Sequence, residues 1–129
     1  MALYLLDSDA VIDCLNRFSP TLAFLRELAA SEDILCTCDV VLAEVYAGLH
    51  PRHEAIASDF LPSLRFLSGS PEAAEQAGRW RYAYNQQGRA LPLTDALIAA
   101  TAMANNATVV TGNVRDYPMP EVSLLQLPR

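Results

Sequence analysis

Four acidic residues stand where a carboxylate is costly or pointed. Asp7 closes an apolar run in YLLDSDAVID, and Glu44 lies within LAEVYAGL. In a helix, Glu44 would have Val40, Val41, Ala47 and Gly48 three and four positions away, which puts it on the apolar stripe. Asp95 opens DALIAATAMANN with Ile98 and Ala99 on its own face, and Asp116 follows TVVT in the loop GNVRDYP. Each has a plain structural explanation by itself. Asp7 or Asp9 would cap the next helix, and Glu44 could pair with Arg17, Arg52 or Arg115. Asp95 would suit a helix N-terminus, and Asp116 an ordinary turn. Those explanations fail together if the four converge, because crowded carboxylates raise one another's pKa unless a divalent cation neutralises them. Hard oxygen donors without histidine or thiolate select Mg²⁺ or Mn²⁺ over zinc. Such a site activates water and stabilises in-line attack on phosphate.

The other chemistry-bearing residues point nowhere in particular. His50 and His53 flank Pro51 away from every acid motif and are expected at the surface. Cys36-x-Cys38 has no second pair with which to build a zinc site. Three cysteines cannot pair completely, which favours a reducing, cytosolic setting. The net charge is −6, and all nine basic residues are arginine. This balance argues against indiscriminate nucleic-acid binding, and the missing lysine excludes mechanisms that need a catalytic amine.

The elements that must position the acids can be read from periodicity. At 129 residues the chain is expected to form a single domain over residues 1–129, and its 52% hydrophobic content excludes disorder. No run is long enough to span a bilayer, and the N-terminus lacks the basic start of a signal peptide. Short apolar runs at residues 2–6, 34–37, 108–111 and 122–127 predict strands, with a weaker candidate at 65–67. Helical spacing covers residues 20–30, and Asp39 should cap a helix that stops near Gly48 to Pro51. Residues 52–64 suggest a helix disturbed at Pro62. Ser70 and Pro71 open another helix that ends at Gly88, and Thr94 should cap one that is apolar all round. Strands alternating with helices imply a mostly parallel sheet covered on both faces, with ligands beyond the strand carboxyl ends.

With those residues in place, the chain resembles PIN-domain proteins, specifically the VapC-type toxins of type II toxin–antitoxin pairs. The matching segments are YLLDSDAVIDCL, LAEVYAGL, LPLTDALIAATAMANNATVVTGN and RDYP, in the family's order and nearly end to end. The resemblance implies an α/β, three-layer αβα PIN-like fold with a central, mostly parallel four- to five-stranded sheet. It makes Asp7, Glu44, Asp95 and Asp116 the catalytic and metal-binding quartet, with Ser8, Thr111 and Asn113 in support. Asp9 departs from the usual asparagine or serine and leaves a fifth charge nearby. Tyr117 replaces the commoner phenylalanine, a change expected to be harmless. The implied activity is a Mg²⁺- or Mn²⁺-dependent endoribonuclease that blocks translation, leaving 3′-hydroxyl and 5′-phosphate ends. The implied partners are a cognate VapB-type antitoxin, whose tail occupies the groove, and a second copy in a homodimer.

Phosphate contact would fall to Arg79, Arg81, Arg89 and Arg115. The stretch GRWRYAYNQQGR interleaves arginine with Trp80, Tyr82 and Tyr84, either as a stacking surface for unpaired bases or as ordinary core and dimer interface. So few basic groups favour a structured RNA such as tRNA or rRNA over broad degradation. Two rivals remain open. Asp7-x-Asp9-x-Val11 also suits a haloacid-dehalogenase-like phosphatase, which would want a lysine and leaves Glu44 idle. A non-catalytic PIN-like binding module is the other.

Overall fold

The computed structural model describes residues 1–128. Strand β1 (Leu3–Leu6) is the centre of a five-stranded, wholly parallel sheet. It lies between β2 (Ile34–Thr37) and β4 (Ala107–Thr111), with β3 (Arg65–Phe66) and β5 (Leu124–Gln126) at the edges. Successive strand side chains point to opposite faces. Leu5 and Leu6 are both fully buried, as are Val109 and Val110, so both faces of the sheet are covered. The three-layer expectation holds on that observation.

Helices α1 (Ser8–Leu15) and α2 (Ser19–Ala30) connect β1 to β2, while α3 (Asp39–Ala47) and α4 (Glu54–Phe60) connect β2 to β3. Helices α5 (Pro71–Gln86) and α6 (Leu93–Ala104) pack on each other and return the chain past β1 to β4. The connections out of β1 and β4 therefore run in opposite directions. The switch point lies between the carboxyl ends of these two strands, where open α/β sheets bind ligands. Leu6 is opposite Val110 in the register, and the Asp7 amide extends the ladder by donating to Val110 O at 3.0 Å.

The helix starts differ from expectation at two places. Asp39 is the first helical residue, and the cap position belongs to Cys38, whose backbone is still extended as it leaves β2. Thr94 likewise lies inside α6, because Pro92, fixed in an extended conformation, precedes the first helical residue. Residues 52–64 form α4 between two short 3-10 turns, Pro51–His53 and Leu61–Ser63, the second containing Pro62. The Ser70 cap is as expected, its hydroxyl accepting from the Ala73 amide at 3.0 Å. Gly88 ends the α5 region at φ +77°, a conformation that suits glycine. The last strand is shorter than its apolar run, since only three of those residues find ladder partners on β4.

Leu5 measures how much the central strand contributes. Leu5→Ala should cost about 3 kcal/mol, a transfer loss plus the cavity left behind. Equilibrium urea unfolding checks this, with the same truncation at the exposed Leu93 expected to move the midpoint far less.

Candidate active site

Four different segments bring acids to the switch point. Asp7 follows β1 directly, and its Oδ1 accepts from the Ala10 amide at 3.2 Å. The capping explanation for Asp7 is therefore correct and does not compete with a role in the site. Glu44 projects from α3, which packs against both α1 and α6. Asp95 is in the first turn of α6, and Asp116 ends a 3-10 turn (Val114–Asp116) just beyond β4. All four line one cavity of about 110 Å³, together with Ser8, Asp9, Ile98 and Tyr117. Larger hollows of about 460 and 540 Å³ lie elsewhere, each with a single acidic lining residue.

No guanidinium among the described residues pairs with any of the four. Glu44 instead accepts a hydrogen bond from the Ser8 hydroxyl at 2.5 Å. Burial pushes the Asp7 carboxyl up to about 6, with Asp9 adding to the rise. Hydrogen bonds from Thr111, the Ala10 amide and Tyr117 oppose that rise. Asp95 is pushed up to about 7, first by burial and then by the charges of Asp116, Glu44, Asp7 and Asp9. Acids raised by desolvation and by one another in a cleft mark a functional-site candidate.

An oxygen-only donor set with uncompensated charge suits a hard divalent cation. Among the described residues no three side chains are already drawn into a ligating cluster. The cavity does have room for several waters, and Mg²⁺ usually keeps several of its own. The residues fit a hydrated ion better than a dry cage.

Asp116 is exposed, and its turn is held from several directions. Thr111 Oγ1 accepts from the Asn113 amide at 3.1 Å. Asn113 donates to Asp116 Oδ1 at 3.3 Å, and its own Oδ1 accepts from the Arg115 amide. From β5, Gln126 accepts from the Val114 amide at 3.1 Å and donates to Gly112 O at 2.7 Å. Arg89 donates to Arg115 O at 2.6 Å, and the Tyr84 hydroxyl to Pro118 O at 3.2 Å. Gln126 carried no sequence signal, since nothing local relates it to Asp116.

Tyr117, where the change from phenylalanine is expected to be harmless, makes a contact that no local signal announces. Its ring is buried, and its hydroxyl donates to Asp7 Oδ2 at 3.3 Å. Trp80 is buried in the core, so the stacking surface of the α5 stretch reduces to Tyr82, which is exposed. Arg79 forms an exposed pair with Glu75 at 3.0 Å, while Arg89 and Arg115 meet beside the acid pocket. Arg81 is exposed on α5. The histidines are not remote from the acids. His50 and His53 line a groove of about 240 Å³ that also includes Glu44, because the chain turns back after α3.

A sequence model of the PIN domain matches residues 4–118. This chain belongs to the PIN-domain family. Among curated relatives, this PIN domain is 27% identical over 120 residues to Ribonuclease VapC2 of Rickettsia felis, covering 89% of this chain and 90% of that protein. It is 28% identical over 115 residues to Ribonuclease VapC19 of Mycobacterium tuberculosis, covering 89% and 92%. Its fold superimposes on a chain from the crystal structure of Rickettsia felis VapBC2 bound to a DNA fragment from their promoter. The TM-score is 0.83 and the identity 25%, with 98% of this PIN domain and 99% of that chain covered.

Proposed function

We propose that this PIN domain is a Mg²⁺- or Mn²⁺-dependent endoribonuclease, the toxin of a VapBC-type pair, acting as one unit over residues 1–129. The observation that carries the reading is the convergence of Asp7, Glu44, Asp95 and Asp116 on one small cavity without a neutralising guanidinium. The curated relatives named as VapC ribonucleases support the activity, and the VapBC2 complex supports a VapB-type antitoxin as partner. A homodimer is part of the same proposal.

The four carboxylates would hold the cation, which when bound would supply charge neutralisation and activation of water for in-line attack on a phosphodiester. Ser8 orients Glu44 through its hydroxyl. Thr111 and Asn113 shape the turn that presents Asp116. Asp9, exposed at the pocket rim, adds negative potential that a bound cation offsets. Arg115, next to Asp116, and Arg89, which donates to the Arg115 carbonyl, would contact phosphate of the RNA, with Arg81 on α5 adding to them. Arg79, paired with Glu75, contributes least. The groove shared by Glu44, Ile12, Leu15, Val45 and Leu49 continues from the acid pocket and suits the antitoxin tail.

The phosphatase alternative has no support, since the named relatives are ribonucleases and Glu44 sits inside the pocket rather than idle. The binding-module alternative has none either, because all four acids are present and line one cavity. The test is incubation with mixed RNA and, in parallel, a small aryl phosphate, each with Mg²⁺, with Mn²⁺ or with chelator. Metal-dependent scission of RNA with 3′-hydroxyl and 5′-phosphate ends is expected. Turnover of the aryl phosphate alone, or equal RNA cleavage by Asp7→Asn, would overturn the proposal.

A further inference from the structure

Tyr117 carries a hydroxyl on a ring that belongs to the buried core. The residue is 3% exposed, and a hydroxyl so enclosed needs a hydrogen-bond partner. That partner is Asp7 Oδ2 at 3.3 Å, across 110 residues of sequence. The other oxygen, Oδ1, accepts from the Ala10 amide at 3.2 Å. The most buried acid in the pocket therefore takes a donor on each oxygen, with the Thr111 hydroxyl as a third donor to the same carboxylate.

We propose that Tyr117 is a positioning residue for Asp7, its hydroxyl acting with the Ala10 amide and the Thr111 hydroxyl to fix the plane in which the carboxylate meets a divalent cation. The inference rests on the metal reading given under Proposed function. The terminal torsion of aspartate is broad and roughly two-fold, so burial alone does not set this plane. Donors on both oxygens, with Thr111 beside them, do set it. A carboxylate offers about four acceptor positions, so with three donors in place about one remains for the pocket. Tyr117 also directly follows Asp116, so the turn that presents one acid at the rim anchors another at the floor. Outer partners of this kind orient metal ligands and hold them ready.

Tyr117→Phe removes one oxygen atom and keeps the ring, its packing and the turn. Calorimetric titration of Mn²⁺ into metal-free protein should show a dissociation constant roughly tenfold higher in Tyr117→Phe. RNA cleavage at sub-saturating Mn²⁺ should fall in proportion, while KM for RNA stays unchanged. The thermal midpoint of the metal-free variant separates orientation from folding. A lower midpoint with unchanged Mn²⁺ affinity would make the hydroxyl merely structural and overturn the inference. Wild-type protein that binds Mn²⁺ no better than Asp95→Asn would bring down the metal reading and this inference together. Tight wild-type binding with an unaltered Tyr117→Phe would bring down this inference alone.

Discussion

Asp95→Asn should abolish RNA cleavage, by about a thousandfold in kcat/KM, and at the same time make the metal-free protein more stable. The loss follows because asparagine keeps the shape and removes the charge that would hold the cation. The gain follows from where that charge sits. Asp95 lies among Asp116, Glu44, Asp7 and Asp9, and burial together with their repulsion pushes its carboxyl up to about 7. Near pH 7.5 the folded metal-free protein must ionise a group that resists ionisation. Removing it should stabilise by on the order of 2 kcal/mol, a full reading of the shift being discounted for partial exposure and screening. Activity assays with Mn²⁺ and thermal unfolding in chelator read the two effects separately. A variant that is inactive and also less stable would show that Asp95 serves the fold.

The same electrostatics set the direction of the pH dependence. Asp7, at about 6, and Asp95, at about 7, are both raised above the ordinary aspartate value near 4. Between roughly pH 4 and 7 the folded state therefore holds more protons than the unfolded chain, and stability falls as pH rises. The fall should reach a few kcal/mol and level off above about pH 7. A divalent cation reverses it. At about a hundred times its dissociation constant, Mn²⁺ should restore roughly 2.7 kcal/mol near pH 7.5. It should restore much less near about pH 5, where protons compete for the carboxylates. Calorimetric melting across that range, with Mn²⁺ or with chelator, checks both halves. A midpoint in chelator that climbs from about pH 5 to about pH 7.5 would contradict the assignment of these two groups.

The site was legible because its acids break local rules. Glu44 on an apolar helical stripe and Asp7 at the end of a buried strand are expensive placements, and expense is visible in sequence. The strands were legible because those buried on both faces read as continuous apolar runs. Asp39 and Thr94 resemble caps in sequence because polar residues beside a helix start look alike. Which one caps depends on how the preceding chain arrives, from β2 in one case and through Pro92 in the other. Trp80 could not be assigned between core and surface, since α5 packs on α6 only in the tertiary structure. The hydroxyl of Tyr117, the side chain of Gln126 and the carbonyl that Arg89 finds are long-range contacts with no periodic trace.

Gln126 ties the rim acid to a three-residue strand at the border of the sheet. Border strands have one neighbour instead of two, and such segments open at lower free energy than the centre of a domain. Each opening of β5 would release Gly112 and Val114 while β1, β2 and β4 stay paired. Opening of β5 on warming would therefore loosen the support of Asp116 before the sheet as a whole melts.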